Sequence, residues 1–251
     1  MNSLLRANNV YKSFDGVKAL NDFSCVIGEN EIVGLIGPNG AGKSTLFNVI
    51  TGFIESESGN VEFKGKQITR YPSHKIIKMG ISRTFQDLRL IKQMSVLDNL
   101  LLCFNHQRGE ELQNIIFSSR SISKIEEENR IEAIDLLRYA GIEEKAKDLA
   151  GTLSYGQQKL LSIICCLAAD STLLLLDEPI AGINPEMREK ILSIISELPS
   201  KGKSVILIEH DMDFIMRICD RLIFMDAGYK VSEGTPEEVR NDPKVIEAYL
   251  E

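Results

Sequence analysis

Apolar residues fall into two kinds of run along this chain. In "EIVGLIG" (Glu31–Gly37), "TLLLLDEP" (Thr172–Pro179) and "KSVILIEH" (Lys203–His210) they are continuous, and each run ends at a glycine or at charged residues. A strand that is apolar at every position has both faces covered, as the strands of a parallel sheet do. In "SGNVEFKGKQI" (Ser58–Ile68) apolar and polar positions alternate between glycines, which predicts a half-exposed antiparallel strand and a hairpin. The opening third reads as short strands and turns, and "RLIFMDAGYKVSEG" (Arg221–Gly234) as another hairpin.

Helical spacing takes over between about Leu88 and Gly151. "KIEEENRIEAIDLLRYAGI" places Ile131, Ile134 and Leu137 three residues apart, which predicts one apolar helix side, with Gly141 as the stop. Its charged "EEENR" is a solvated face. "NHQRGEELQN" and "SSRSISK" read as a connecting region. Further on, Asn184, Pro185 and Glu186 have the order of an N-cap, a first-turn proline and a first-turn acid. A helix is expected from about Met212. Ser154 with Gln157, and Thr235 with Glu238, have capping-box spacing, and Pro236 suits a first helical position. Strand and helix alternate, so a mostly parallel α/β sheet is expected.

Composition narrows the function classes. The 251 residues are 43% hydrophobic and 26% charged, as in a globular protein with a sizeable core. A net charge of -7 argues against nucleic acid as a partner, since such binders present a basic face. It leaves room for a phosphate ligand in a local site. Five cysteines, without C-x-x-C spacing, read as buried thiols of a reducing compartment. No signal-peptide pattern opens the sequence. The longest apolar stretch, Leu160 to Leu176, is broken by Asp170 and Ser171 and falls short of a membrane span.

The chemistry is concentrated in "GPNGAGKS", which matches G-x-x-x-x-G-K-[ST] between a predicted strand and a predicted helix. Glycines let backbone N–H groups turn in around phosphate oxygens, and the helix start adds its positive end. Gly37, Pro38, Asn39, Gly40, Ala41, Gly42, Lys43, Ser44 and Thr45 form the expected nucleotide-binding set. Lys43 is expected to reach the β- and γ-phosphates of a nucleoside triphosphate, and the Ser44 hydroxyl to ligate Mg²⁺. Asp177, at the end of an apolar strand, suits the magnesium shell. Glu178, one residue on, is placed to position or deprotonate an attacking water.

In order, "GPNGAGKS", "RTFQD", "LSYGQQ", "LLLLDEP", "AGIN" and "IEHD" resemble the motifs of ABC transporter nucleotide-binding subunits, over essentially the whole chain. The resemblance implies a P-loop NTPase fold: a mostly parallel core sheet, an N-terminal antiparallel β region, and a helical subdomain inserted between glutamine loop and signature. It implies one domain over 1–251, with 1–87 and 156–251 as core and 88–155 as the helical part. It gives Gln86 a contact with Mg²⁺ or the attacking water, and His210 a hydrogen bond to the γ-phosphate. Ser154, Gly156 and Gln157 would contact a nucleotide held by a second ATPase subunit, either a second copy or a related chain. Phe14, 29 residues before Lys43, stands where the family has an aromatic on adenine; a plain core role is the alternative. Tyr155 replaces the first glycine of the commonest signature, and Asn184 the usual D-loop aspartate.

"GISRTFQDLRLIKQMSVLDNLLL" and "GTPEEVRNDPKVIEAYLE" narrow the resemblance to the ATPases of branched-chain amino-acid importers, with urea and amide importers and a lipopolysaccharide exporter close by. Implied partners are transmembrane permease subunits and, through them, a substrate-binding protein, with the chain on the cytoplasmic face of the membrane. Leu88, Leu90, Ile91 and Met94 are the implied contact for a permease helix; ordinary helix core is the alternative. Two further classes stay open. A soluble ABC ATPase of translation or repair would usually show tandem cassettes or long heptads, and a P-loop kinase would not account for Gln86, Ser154 and His210 together.

Overall fold

The computed structural model describes residues 3–86, 88–104 and 119–248, with the side chains of 119–123 left aside. Two long strands open the chain, β1 (Ser3–Phe14) and β2 (Val17–Gly28). β3 (Ile32–Ile36) leads into α1 (Lys43–Ile50), followed by β4 (Ser58–Phe63), β5 (Lys66–Gln67), α2 (Ser73–Lys78) and β6 (Ile81–Arg83). Then come α3 (Val96–Leu101), α4 (Ser119–Ala140), α5 (Tyr155–Ala168), β7 (Leu173–Asp177), α6 (Pro185–Glu197), β8 (Ser204–Ile208) and α7 (Met212–Ile218). The chain closes with β9 (Arg221–Asp226), β10 (Tyr229–Gly234), α8 (Pro236–Arg240) and α9 (Pro243–Ala248).

The three continuous apolar runs are β3, β7 and β8, buried at every position. They lie in a six-stranded sheet of order β10-β9-β3-β8-β7-β6, parallel except for the antiparallel edge strand β10. Alternation along these strands sorts the core into two clusters. Ile32, Leu174, Leu176, Val205, Leu207 and Leu222 face one side, where α4 to α7 pack. Val33, Leu35, Leu173, Leu175, Ile206 and Ile208 face the other, against α1 and a second, antiparallel sheet of order β2-β1-β4-β5. Because one parallel sheet carries both clusters, the chain ends of its strands meet along a single edge, and that edge holds the site.

Several expectations change in detail. The opening third holds two 12-residue strands, not short ones. Their link is the pair Asp15 and Gly16, with φ of 47° and 87°, the two positive values that a tight I′ hairpin needs. On α4, Ala133, Leu137 and Ala140 are buried, whereas Ile131 is exposed. The reason is geometric: at 3.6 residues per turn each step of three falls short by about 60°, so Ile131 stands about 120° away from Leu137. Gly141 does end the helix, at φ 61°. "SSRSISK" runs into the first turns of α4 from Ser119 onward, while "NHQRGEELQN" lies outside the described residues. The residues from Leu88 to Met94 are not helical, so the alternative of ordinary helix core does not hold. Of the cysteines, Cys25, Cys166 and Cys219 are buried, Cys103 and Cys165 are half-buried, and all are free thiols.

Candidate functional site

The strand β3 delivers the chain at Ile36 into a loop that only glycine can make at two points. Gly37 has φ 146°, and a Cβ there would lie 1.9 Å from the Met225 carbonyl oxygen. Gly42 has φ 103°, and its Cβ would lie 2.2 Å from the Ala19 carbonyl oxygen. The loop is therefore wedged between β2 and the end of β9, and Gly228 N–H ties it further by donating to the Ala41 carbonyl. Helix α1 starts at Lys43 with Gly42 as N-cap and no side-chain cap, so its first N–H groups, including those of Ser44 and Thr45, are left for a ligand. Pro38 is half-buried, and Asn39 and Gly40 are exposed at the loop tip. Lys43 Nζ donates to the carbonyls of Gly37 (2.7 Å) and Pro38 (2.8 Å). Burial pushes its ammonium below the ordinary lysine value, and Glu178 and Asp177 oppose that.

Asp177 ends β7 with only 7% of its side chain exposed. Arg83 lies 2.9 Å from its Oδ2, and the Thr84 hydroxyl accepts its backbone N–H at 3.0 Å. Glu178 then turns to φ 49°, a left-handed conformation that costs a non-glycine residue of order 1–3 kcal/mol. Both of its peptide groups are held: the N–H donates to Ile208 O at 2.9 Å, and the carbonyl accepts from Lys159 Nζ. That turn aims the carboxylate along the sheet edge. There Gln86 Nε2 donates to one oxygen at 3.2 Å, and His210 Nε2 stands 3.4 Å from the other. Behind this cluster, Glu209 is 4% exposed and accepts the N–H groups of Ile180 (2.9 Å) and His210 (3.1 Å). Burial pushes the Glu209 carboxyl above the usual range, against the pull of those N–H groups and of Lys159.

Helix α5 begins with the capping box: Ser154 Oγ accepts the Gln157 N–H at 3.3 Å, and Gln157 Oε1 accepts the Ser154 N–H at 3.0 Å. Ser154 and Tyr155 are exposed, so this helix start faces outward. Gly156 fits because a Cβ there would come within 2.9 Å of Met187 Cγ and 3.4 Å of Ile183, where α6 begins. The Lys159 ammonium lies over the Tyr155 ring, 5.3 Å from its centre, and a Cβ at Gly182 would come within 3.4 Å of that ring. The ring fills space beside Gly182 that a side chain there would need, which is a physical reason for an aromatic at this position. Asn184 caps α6 through the Met187 N–H at 2.8 Å.

Lys43, Gln86, Asp177, Glu178 and His210 thus converge at one edge, as the motif spacing suggested. Phe14 sits at the tip of the β1–β2 hairpin, 43% exposed, with Lys12 Nζ 5.3 Å from its ring; it is not a core residue. Leu88, Leu90 and Ile91 line a groove of about 570 Å³ beside the glutamine loop, and Met94 lies outside that lining. Sequence reasoning missed Arg83, Lys159 and Glu209, whose charges are buried by elements distant in the chain. Only their neighbours in the motifs, one to three residues away, hinted at them.

A family profile described as ABC transporter matches residues 20–181, and one described as branched-chain amino acid ATP-binding cassette transporter matches 230–250. The high-affinity branched-chain amino acid transport ATP-binding protein BraF of Pseudomonas aeruginosa is 37% identical over 248 residues, 98% of this chain and 97% of that protein. Among solved structures, a nucleotide-free ATP-binding cassette from an ABC transporter superposes with a TM-score of 0.85 at 37% identity, covering 100% of both chains. A dimeric, post-hydrolysis ATP-binding cassette bound to ADP and Pi gives 0.77 at 26% identity, covering 92% of this chain and 98% of that one.

Proposed function

The chain belongs to the ABC transporter family as an ATP-binding subunit, and from that premise we propose that it hydrolyses ATP to drive import of branched-chain or other small polar amino acids. The observation that carries the catalytic part is the grip on Glu178 by Gln86 and His210, on the edge where Lys43 and Asp177 also lie. Glu178 is the base that takes the proton of the attacking water. Lys43 and the first N–H groups of α1 bind the β- and γ-phosphates, and His210 orients the γ-phosphate. Phe14, exposed at its hairpin tip, is the surface for adenine.

The Asp177 carboxylate, the Ser44 hydroxyl and the Gln86 amide oxygen are hard oxygen donors, the set Mg²⁺ takes together with water and phosphate oxygens. Mg²⁺ would neutralise charge on the phosphate oxygens.

The outward-facing start of α5 supports a second half of the site, in which Ser154, Gly156 and Gln157 contact the γ-phosphate of another ATPase subunit. Taking an open:closed ratio from 1:99 to 99:1 needs roughly 5.5 kcal/mol. Two nucleotides would share that, and one or two charge-assisted hydrogen bonds each, at about 1.5–3 kcal/mol, suffice. Helices α3 and α4 pack beside α5, whose start carries the signature, and form the described part of the helical unit. No described helix is long and apolar enough to cross a membrane. The groove at Leu88, Leu90 and Ile91 suits a cytoplasmic helix of a permease subunit, and such docking would hold the chain at the membrane's cytoplasmic face and link it to a substrate-binding protein.

Ser154→Ala separates the two uses of the signature. Loss of the cap is expected to cost about 1 kcal/mol, read as a fall of about 2–4 °C in the thermal midpoint. Turnover at a temperature where the variant is folded is expected to fall as well; loss of stability alone would limit Ser154 to capping. The transport reading is tested by ATP turnover of the complex reconstituted with its permease and binding protein. Stimulation by leucine, isoleucine or valine is expected; stimulation by urea or amides alone would move the chain to the neighbouring importers.

A further inference from the structure

Arg83 is the charged side chain that joins the groove wall to the nucleotide edge. Its guanidinium is 7% exposed and donates in two directions, to Asp177 Oδ2 at 2.9 Å and to Asn48 Oδ1, near the end of α1, at 2.6 Å. It lies against two rings, 5.2 Å from the centre of Phe47 and 5.0 Å from that of Phe85, the residue before Gln86. Arg89 stands 3.7 Å from the same Phe85 ring, and Phe85, Arg83 and Arg89 all line the groove. Arg83 Nε is buried with no hydrogen-bond partner, a penalty that a plain apolar residue would avoid. A fork held on four sides is not free to leave when a ligand arrives. It engages one Asp177 oxygen only, and the Thr84 hydroxyl fixes the same residue's N–H.

We infer that Arg83 is a positioning residue for Asp177: it fixes Oδ2 so that the other carboxylate oxygen is held for the divalent cation, and it links that carboxylate to the groove through Phe85. The inference rests on the reading of Asp177 as a metal-binding acid. Partners that orient a ligating side chain are worth about 10–100-fold in metal affinity. An arginine that merely competed with the cation for Asp177 would have the opposite effect, so the sign decides between them.

The test is Mn²⁺ binding to the chain with ADP present, followed by the electron paramagnetic resonance signal of free Mn²⁺. Arg83→Met is expected to weaken Mn²⁺ binding by about 10–100-fold, with ADP affinity in EDTA unchanged. Arg83→Lys, which keeps the charge but cannot bridge Asn48 and Asp177 with one fork, is expected to fall between. Asn48→Ala frees the far end of the fork without touching Asp177 and is expected to weaken Mn²⁺ binding in the same direction, less strongly; it carries the test should Arg83→Met fail to fold. Mn²⁺ binding that is equal or tighter in these variants overturns the inference. Asp177→Asn is the control: unchanged Mn²⁺ affinity in it would remove the metal role of Asp177 itself, a separate failure.

Discussion

Glu178→Gln is expected to bind ATP as tightly as the parent chain and to release phosphate about 10²–10⁴-fold more slowly, the usual share of a general base. At 1.36 kcal/mol per factor of ten, that is about 3–5 kcal/mol of barrier. The substitution changes one oxygen to an NH₂ group and leaves the backbone of residue 178 as it is. The left-handed turn, its N–H bond to Ile208 and its carbonyl bond to Lys159 all survive. The contact that Gln86 makes with one carboxyl oxygen can persist to the amide oxygen. What disappears is the capacity to take a proton. Equilibrium nucleotide binding measured beside phosphate release separates the two, and unchanged turnover would remove Glu178 from the role of base.

Lys159→Met is expected to cost stability heavily, because it removes the charge that opposes a buried acid. Lys159 is 4% exposed, donates to the Glu178 carbonyl, and its charge opposes the upward push that burial gives the equally buried Glu209 carboxyl. Leaving a buried charge uncompensated typically costs about 3–5 kcal/mol. For a chain of this size that corresponds to a fall of about 6–20 °C in the thermal midpoint. The double variant with Glu209→Gln is expected to recover part of the loss. The pH dependence has a definite sign. A carboxyl whose folded value is raised binds its proton more tightly in the folded state, so its contribution favours folding at low pH and is lost as pH rises through the raised value. Glu209 is raised by burial, and removing Lys159 raises it further. The deficit of Lys159→Met is therefore expected to shrink on acidification, as denaturant melts at two pH values will show.

The elements around the site were readable where one local rule sufficed. Leu173–Leu176 is apolar at every position because the sheet is covered on both faces, and the caps Ser154, Asn184 and Thr235 bond residues only three positions away. Gly37 and Gly42 stand in a motif whose glycines are needed sterically, against Met225 and Ala19. Ile131 misled because steps of three mimic a helix face over one turn and drift off it over two. The "DG" at Asp15–Gly16 carried a hairpin signal that would have joined the first two strands correctly. Arg83, Lys159 and Glu209 could not be read, because their significance is burial beside a charge from another element, such as Asp177, 94 positions from Arg83. Tyr155 makes sense only in three dimensions, where Lys159 lies over its ring and a side chain at Gly182 would meet it.

The central claim is that ATP bound at Lys43 is closed over by the signature of another ATPase subunit and hydrolysed with Glu178. It is tested most directly by the mass in solution of the Glu178→Gln chain, alone and mixed with a related ATPase subunit, before and after addition of ATP and Mg²⁺. The account predicts a two-subunit species that appears with nucleotide and is lost when Ser154→Ala is added. A single-chain mass at saturating ATP in both preparations would contradict it.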